Sequence, residues 1–225
     1  PDRDKQLLSL AIPALGALVA EPLYLLADTA VVGHLGTLPL GGLAVASAAL
    51  LLIYGLCFFL AYGTTATVAR FTGAGEPLKA ANQAIQSLWL AFFLGLGIAI
   101  AGSLTSDPLL QALGATGELL DQARIYLEIS MLGAPAMLIM LAGVGYLRGI
   151  KDTVRPLWVA VGTALLNLCL ELILIYGFGK NIGASAAATV ISQWVGAATY
   201  LFWIWQSIGG LKISLLPKLL ALRRL

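Results

Sequence analysis

The stretch that decides the fold is "TAVVGHLGTLPLGGLAVASAALLLIYGLCFFLAYGTTATVA", residues 29 to 69, which contains no Asp, Glu, Lys or Arg. A helix needs about 20 apolar residues to cross the hydrocarbon core of a bilayer. Two further stretches, 80 to 106 and 181 to 211, are also free of charge. All three runs are continuous, whereas the strands of a membrane barrel would alternate apolar and polar residues. The sequence therefore predicts an all-α integral membrane protein.

The overall composition agrees with this class. Hydrophobic residues make up 60% of the chain and charged residues 11%, with a mean hydropathy of +0.92; soluble domains carry about 25% charged residues. A net charge of +2 is too small to indicate a nucleic-acid partner. Cys57 and Cys169 lie inside apolar runs, which is typical of small hydrophobic side chains rather than of a disulfide or a metal site.

We predict six transmembrane helices packed as a bundle within one domain, residues 1 to 210. The predicted spans are about 6–33, 43–70, 82–105, 123–148, 156–178 and 184–208, with ends uncertain by about 2 to 4 residues. The tail 211–225, "LKISLLPKLLALRRL", is too short to span and mixes basic residues with leucines. It is expected to form an amphipathic helix at the cytoplasmic membrane surface.

The basic residues predict the orientation. With a cytoplasmic N-terminus, six spans place all Lys and Arg residues except Arg124 and Lys180 on the cytoplasmic side. Cytoplasmic loops of membrane proteins carry an excess of such residues. We therefore expect a multi-pass protein of the inner or plasma membrane with both ends cytoplasmic.

The sequence offers little for catalysis. The single histidine, His34, falls in a predicted outer turn, so no HExxH motif or histidine cluster exists. The glycines of "GAGEP", 73 to 77, lack the Lys and Ser or Thr of a phosphate-binding loop. We expect neither an enzyme nor a cofactor.

Acidic residues within the predicted spans are the main functional signal. An ionised side chain inside a membrane costs at least about 2.5 kcal/mol, and such residues need partners or water. Four of them fall within spans: Glu21, Asp28, Glu128 and Glu171. Glu128 lies close to a span end, where solvation or structural pairing is an alternative, and the role of Glu21 stays open.

Two of these acids have a polar neighbour on the same helix face. Tyr24 precedes Asp28 by four residues, and Asn167 precedes Glu171 by four, so each pair lies one helical turn apart on one face. Carboxylate, amide and phenol oxygens brought together in a low dielectric would bind a proton or a small hard cation such as Na+.

Prolines in the first span predict a hinge. Pro13 and Pro22 lie within span 6–33. Each removes a backbone donor and leaves a carbonyl one turn earlier without its helical partner, which favours a kink.

Four segments together resemble one transporter family. "LRGIKDTVRP", 147 to 156, resembles the pattern LRGxGDTxxP, with Lys151 in place of its second glycine. "ADTAVVGHLG" at 27–36, "GAGEPLKAANQA" at 73–84 and "GASAAATVISQ" at 183–193 follow the same family in order and spacing. By this resemblance the chain is identified as a member of the multidrug and toxic compound extrusion (MATE) transporters, DinF-like branch.

The resemblance implies more than the residues alone. Members have two six-helix lobes, so this chain is similar to an N-terminal lobe, with 211–225 as the connector toward a second lobe of the same polypeptide. The branch has a cation site in this lobe, with a bending proline at Pro13. Its residues fall on Asp28, Glu171, Asn167, Tyr24, Tyr126 and Thr189. Glu171 stands where the branch usually has aspartate. A Na+ ion would be held by Asp28, Glu171 and Asn167.

The resemblance implies an antiporter that exports lipophilic or cationic compounds in exchange for H+ or Na+. One alternative is a flippase for lipid-linked oligosaccharides, which would need Arg or Lys in its cavity to meet pyrophosphate; no predicted span has a mid-membrane basic residue. The other alternative is a non-transporting membrane scaffold whose buried acids are structural.

Overall fold

The structure is a computed structural model that describes residues 2–178 and 181–209. These residues form α-helices and one π-helical segment. The helices are α1 Asp2–Gly33, α2 Thr37–Leu56, α3 Phe59–Gly73, α4 Pro77–Leu104, α5 Ser106–Ala112, α6 Gly117–Met131, α7 Ala134–Gly149, α8 Val154–Leu172 and α9 Ile182–Ile208, with the π-helical segment Ile173–Gly177 directly after α8.

This architecture confirms the all-α membrane class. In the described part of the chain, four helical stretches are long and apolar enough to cross a bilayer: Thr37–Gly73, Pro77–Leu104, Val154–Gly177 and Ile182–Ile208. The bent pair α6 and α7 gives a fifth. Helix α1, with 32 residues, is also long enough to span. The domain limits and the count of six spans stay predictions, and the tail 211–225 lies outside the described residues.

Span two, predicted as one helix over 43–70, consists of two helices. Helix α2 begins at Thr37 and ends at Leu56, and α3 runs from Phe59 to Gly73. Around the break, Cys57 N–H donates to the Tyr54 carbonyl at 2.9 Å and Leu60 N–H to the Cys57 carbonyl at 3.0 Å. These tighter i to i+3 bonds replace helical ones, so the backbone groups stay satisfied inside the membrane.

Span four bends where α6 meets α7. The two helices lie at 54° to each other, and Pro135, which has no N–H to donate, sits in the first turn of α7. The Leu132 carbonyl at the bend accepts a hydrogen bond of 3.2 Å from Trp194 Nε1 of α9. By contrast, α1 continues as helix through Pro13 and Pro22, whose hinge role stays a prediction.

Helix α4 packs closely against this bend. A Cβ on Gly95 would lie 2.5 Å from Pro135 Cα and 2.9 Å from Pro135 N. Because those neighbours are backbone atoms that side-chain rotation cannot move, only glycine lets α4 approach the bend this closely.

Three helices end in the same turn. In each, a residue with positive φ follows the helix, and the next N–H reaches back to a carbonyl five residues earlier, which is the Schellman pattern. Gly75 (φ 71°) and Gly114 (φ 92°) occupy this position after α3 and α5, but Lys151 (φ 65°) occupies it after α7. Asp152 N–H closes that third turn on the Leu147 carbonyl at 2.8 Å.

The Asp152 side chain marks the start of α8. Asp152 Oδ1 accepts hydrogen bonds from the backbone N–H groups of Val154 at 3.2 Å and Arg155 at 3.0 Å. This satisfies two of the donors that a helix leaves open at its N-terminus. The "LRGIKDTVRP" segment therefore joins α7 to α8 by a rigid turn.

Candidate ion-binding site

Three helices bring a set of buried polar side chains together. Asp28 comes from α1, Asn167 and Glu171 from α8, and Ser185 and Thr189 from α9. Asp28 is 3% exposed, Asn167 2%, and Glu171 and Ser185 0%. Polar groups buried to this degree inside apolar helices require partners, so their mutual contacts define the site.

Asp28 accepts a hydrogen bond from a residue far away in the sequence. Ser185 Oγ donates a hydrogen bond of 2.9 Å to Asp28 Oδ1, between residues 157 apart in sequence. A hydrogen bond from a hydroxyl to a buried carboxylate is charge-assisted and stronger than a neutral one. It supplies one buried donor for a negative charge on Asp28.

Asn167 contacts a different partner from the one expected. The spacing predicted that its amide and the Glu171 carboxyl would converge, but Asn167 Nδ2 donates to Thr189 Oγ1 at 3.1 Å. Thr189 is therefore at the site, as the family pattern implied. The amide and hydroxyl join α8 to α9 one turn before Glu171 along α8.

Glu171 is the least satisfied group of the site. Asp28 and Ser185 lie beside its carboxyl group. Both carboxyl oxygens are buried, and neither forms a hydrogen bond of ordinary geometry with the described side chains. Residues 156–178 and 181–208 contain no Lys, Arg or His. A charged Glu171 would thus lack compensation, which makes two ionised acids here unfavourable without a bound cation.

An apolar layer lies next to the site toward the Gly33 end of α1. Val31, Ile175 and Ala184 form a buried cluster, and each is within four residues of a site acid or of Ser185. Beyond it, the His34 ring meets Tyr176 edge-on with centroids 6.3 Å apart. The site is therefore separated from that end of the bundle by packed side chains.

Of the remaining predicted residues, Tyr126 is described and lies near the site. Tyr126 is buried in the same apolar cluster as Val32 of α1 and Ala186 of α9, which puts it near the helices that carry the acids. The side chains of Glu21 and Tyr24 lie outside the part of the chain that is described, so Tyr24 stays a prediction.

Glu128 is separate from the site. It is exposed and accepts a hydrogen bond of 3.3 Å from Ser106 Oγ of the short helix α5. Nearby, Arg124 pairs with Asp107 through two bonds of 2.5 and 2.8 Å. These contacts match the interpretation of Glu128 as a solvated, structurally paired acid.

Ser185 is the site residue that the sequence patterns did not identify. It precedes Thr189 by four residues, the same helical spacing that singled out Asn167 with Glu171. Applying that rule backward from Thr189 would have found it.

The chemistry of the site suits a hard ion. Within residues 2–178 and 181–209, no group of three or more His, Cys, Asp or Glu could hold a transition metal. The available ligands are carboxylate, hydroxyl and amide oxygens, which bind protons or hard cations.

Comparison with known proteins identifies the family of the chain. Residues 13–173 match the profile of the family described as MatE. The chain is 37% identical over 192 residues to "DNA damage-inducible protein F" of Escherichia coli, covering 85% of this chain and 42% of that protein. It is 31% identical over 211 residues to "Probable multidrug resistance protein NorM" of Thermotoga maritima, covering 92% and 45%.

A solved structure shows the same fold. An outward-facing multidrug resistance MATE family transporter of the MOP superfamily superimposes with a TM-score of 0.88 at 29% identity, over 98% of this chain and 50% of that one. The chain belongs to the MatE family, and the match to the DNA damage-inducible protein F supports its DinF-like branch. It spans about half the length of the relatives that it matches.

Proposed function

We propose that this chain is the N-terminal lobe of an antiporter that exports lipophilic or cationic compounds in exchange for H+ or Na+, and that it is not an enzyme. The observation that carries the proposal is the buried pair Asp28 and Glu171, which adjoin each other in stretches, 6–33 and 156–178, that contain no Lys, Arg or His. Such a pair needs a proton or a cation, and an ion gradient can supply either. The transporter family supports the same conclusion.

In the proposed mechanism, ion binding changes the charge of the site and thereby the position of α1. With one proton on the pair, the site carries a single negative charge beside the Ser185 hydroxyl. A second proton or a Na+ ion neutralises that charge and weakens the polar contact that draws α1 toward α9. Helix α1 then shifts, with Pro13 and Pro22 as hinges, and changes the face that the lobe presents to substrate.

A second lobe of the same polypeptide would complete the pathway. The matched relatives are about twice as long as this chain, and transport between two lobes works by alternating access around a site near the midplane. The proposal includes both ends of the lobe on the cytoplasmic side of the inner or plasma membrane, with 211–225 as the connector.

The flippase alternative is less well supported. A pyrophosphate-linked cargo needs cationic side chains along its path. Most basic residues of the described helices lie near helix ends, as with Arg70 in the last turn of α3 and Arg148 in the last turn of α7. Arg124 lies in the middle of α6 but is paired with Asp107. A scaffold without transport would leave the unsatisfied Glu171 carboxyl without a function.

Transport by the full-length parent in sealed vesicles tests the proposal. A pH gradient and a Na+ gradient are imposed separately, and efflux of a fluorescent lipophilic cation is recorded. We expect at least one gradient to drive efflux against the substrate gradient, and dissipating that gradient with an ionophore to stop it. Efflux that depends on neither gradient would refute ion coupling. The absence of efflux, together with the absence of Na+ binding and proton release, would favour the scaffold.

A further inference from the structure

We propose that the turn between α7 and α8 binds the headgroup of an anionic phospholipid, with Lys151 and Arg155 as the side chains that contact its phosphate. This turn adjoins the opposite end of α8 from Glu171, so the inference concerns a second site and does not depend on the proposed transport. It follows from the convergence of three basic side chains and from their level relative to the membrane.

Two arginines on either side of the turn approach the same helix. Arg148, in the last turn of α7, lies near the Tyr200 phenol. The Arg155 guanidinium, in the first turn of α8, lies over the Trp203 ring, 5.8 Å from its centroid. Tyr200 and Trp203 are three residues apart on α9 and share one face of that helix. Both guanidinium groups therefore converge on one stripe of α9, and the exposed Lys151 lies between them in the turn.

The positive charge of this cluster is only partly compensated. In the part of the chain that the structure describes, Arg148 and Lys151 form no ion pair. Arg155 contacts Asp152 through Nε at 3.4 Å. A guanidinium has five N–H donors, and this long contact involves one of them. The cluster therefore keeps a net positive charge and unused donors, which form strong charge-assisted hydrogen bonds with a phosphate.

The backbone of the turn supports a role for the Lys151 side chain. Its φ of 65° lies in the left-handed region, where glycine has no steric cost and lysine does. Gly75 and Gly114 occupy the matching positions of the other two turns. An unfavourable conformation that is kept indicates a function of the residue that adopts it. What lysine adds over glycine at this exposed position is an ammonium group.

The cluster lies at the level of lipid headgroups. The stretches Val154–Gly177 and Ile182–Ile208 are long and apolar enough to cross a bilayer, so the start of α8 and the end of α9 lie at one membrane surface. Trp158 is 65% exposed and Trp205 60%, and each lies about one turn from such an end. Tryptophan is enriched where hydrocarbon meets headgroups. The phosphate within reach at this level is that of a phospholipid, and basic residues here favour an anionic headgroup.

Lipid binding by the purified full-length parent in neutral detergent tests the proposal. Phosphatidylglycerol and phosphatidylcholine are titrated separately, and bound lipid is counted by native mass spectrometry. Phosphatidylglycerol should bind more tightly. Lys151→Gln and Arg155→Gln should each weaken its binding about fivefold, which corresponds to about 1 kcal/mol per basic residue near an anionic surface. The matched control is Lys79→Gln, which neutralises a lysine paired with Glu76 at 2.8 Å and should leave the affinity unchanged.

Lys151→Gly separates lipid binding from folding. Glycine adopts the left-handed conformation without steric cost, so this variant should melt above the parent in neutral detergent. It should nevertheless bind phosphatidylglycerol as weakly as Lys151→Gln does, because both lack the ammonium group. A loss of binding in a more stable protein cannot result from unfolding.

Three results would overturn the proposal. The first is equal affinity of the parent for the two lipids, and the second is the same loss of affinity in Lys79→Gln as in Lys151→Gln. The third is displacement of the bound lipid by millimolar inorganic phosphate, which would make the ligand a free anion. None of these measurements involves transport, so they leave the proposed function to its own test.

Discussion

The hydroxyl of Ser185 donates across 2.9 Å to Oδ1 of Asp28, and this bond joins the first helix of the chain to the last one that the structure describes. Both residues are buried, so the bond forms in a low dielectric, where a change of charge has a large effect. Beside it lies the Glu171 carboxyl. In the proposed mechanism, this arrangement links the protonation of the two acids to the position of α1 against α8 and α9.

The packing of α4 against the bend in span four gives a first prediction. Gly95→Ala should destabilise the lobe by about 1 to 3 kcal/mol, because the new methyl group would overlap the Pro135 backbone. The control is Gly97→Ala on the same helix, where a Cβ meets nothing within 4 Å and the gain in helix propensity is about 0.5 to 1 kcal/mol. Melting in detergent should rank Gly97→Ala above Gly95→Ala; equal melting temperatures would contradict this packing.

The turn after α7 gives a second prediction. Lys151 has φ 65° where Gly75 and Gly114 occupy the matching positions of other turns, and a left-handed conformation costs a residue with a Cβ about 1 to 2 kcal/mol. Lys151→Gly should therefore raise the unfolding free energy by about 1 kcal/mol. Lys151→Ala, which removes the charge but keeps the Cβ, should raise the unfolding free energy much less. A larger gain from alanine would attribute the effect to charge instead.

Some of this architecture could be predicted from sequence and some could not. Charge-free runs identified the membrane class, because only helices satisfy the backbone in lipid. The i, i+4 rule paired Asn167 with Glu171 on one helix face, and the family resemblance assigned Asp28 to the same site. Neither could predict that Asn167 would bond to Thr189, since that contact depends on the packing of α8 against α9.

The breaks within spans were harder to predict. The break at Cys57–Phe58 has no proline to mark it, and the π-helical segment after Glu171 has no recognised sequence signal. Pro135 marks the bend in span four, whereas Pro13 and Pro22 predicted a hinge in α1. At the Cys57–Phe58 break and in the π-helical segment, tertiary packing selected the local backbone conformation. Single-sequence patterns do not contain information on that packing.

The isolated chain should not transport. One lobe supplies a single wall of the pathway, so vesicles containing the 225-residue chain should show no gradient-driven efflux. Co-expression with the second lobe of the proposed two-lobe transporter should restore it. Particle mass is measured in parallel, because a homodimer would line the pathway twice with the same lobe. Robust efflux by a monomer of this chain would contradict the two-lobe proposal.

The turn between α7 and α8 should face the cytoplasm. A cysteine at the exposed Lys151, introduced after replacement of Cys57 and Cys169 by alanine, should react with an impermeant maleimide only in inside-out vesicles. A cysteine at exposed Asp121, which lies on the other side in the proposed topology, is the control and should react only in right-side-out vesicles. The reverse pattern would invert the orientation of the whole lobe.

Coupled transport by the full-length parent carrying Asp28→Asn tests the central claim most directly. The control is Glu128→Gln, which alters an exposed acid bonded to Ser106 away from the site. Both variants should fold and insert. Asp28→Asn is predicted to abolish gradient-driven export, with Glu171→Gln weakening it similarly, while Glu128→Gln retains most of it. Export by Asp28→Asn at the parental rate, still driven by the same gradient, would contradict the account and return Asp28 to a structural role.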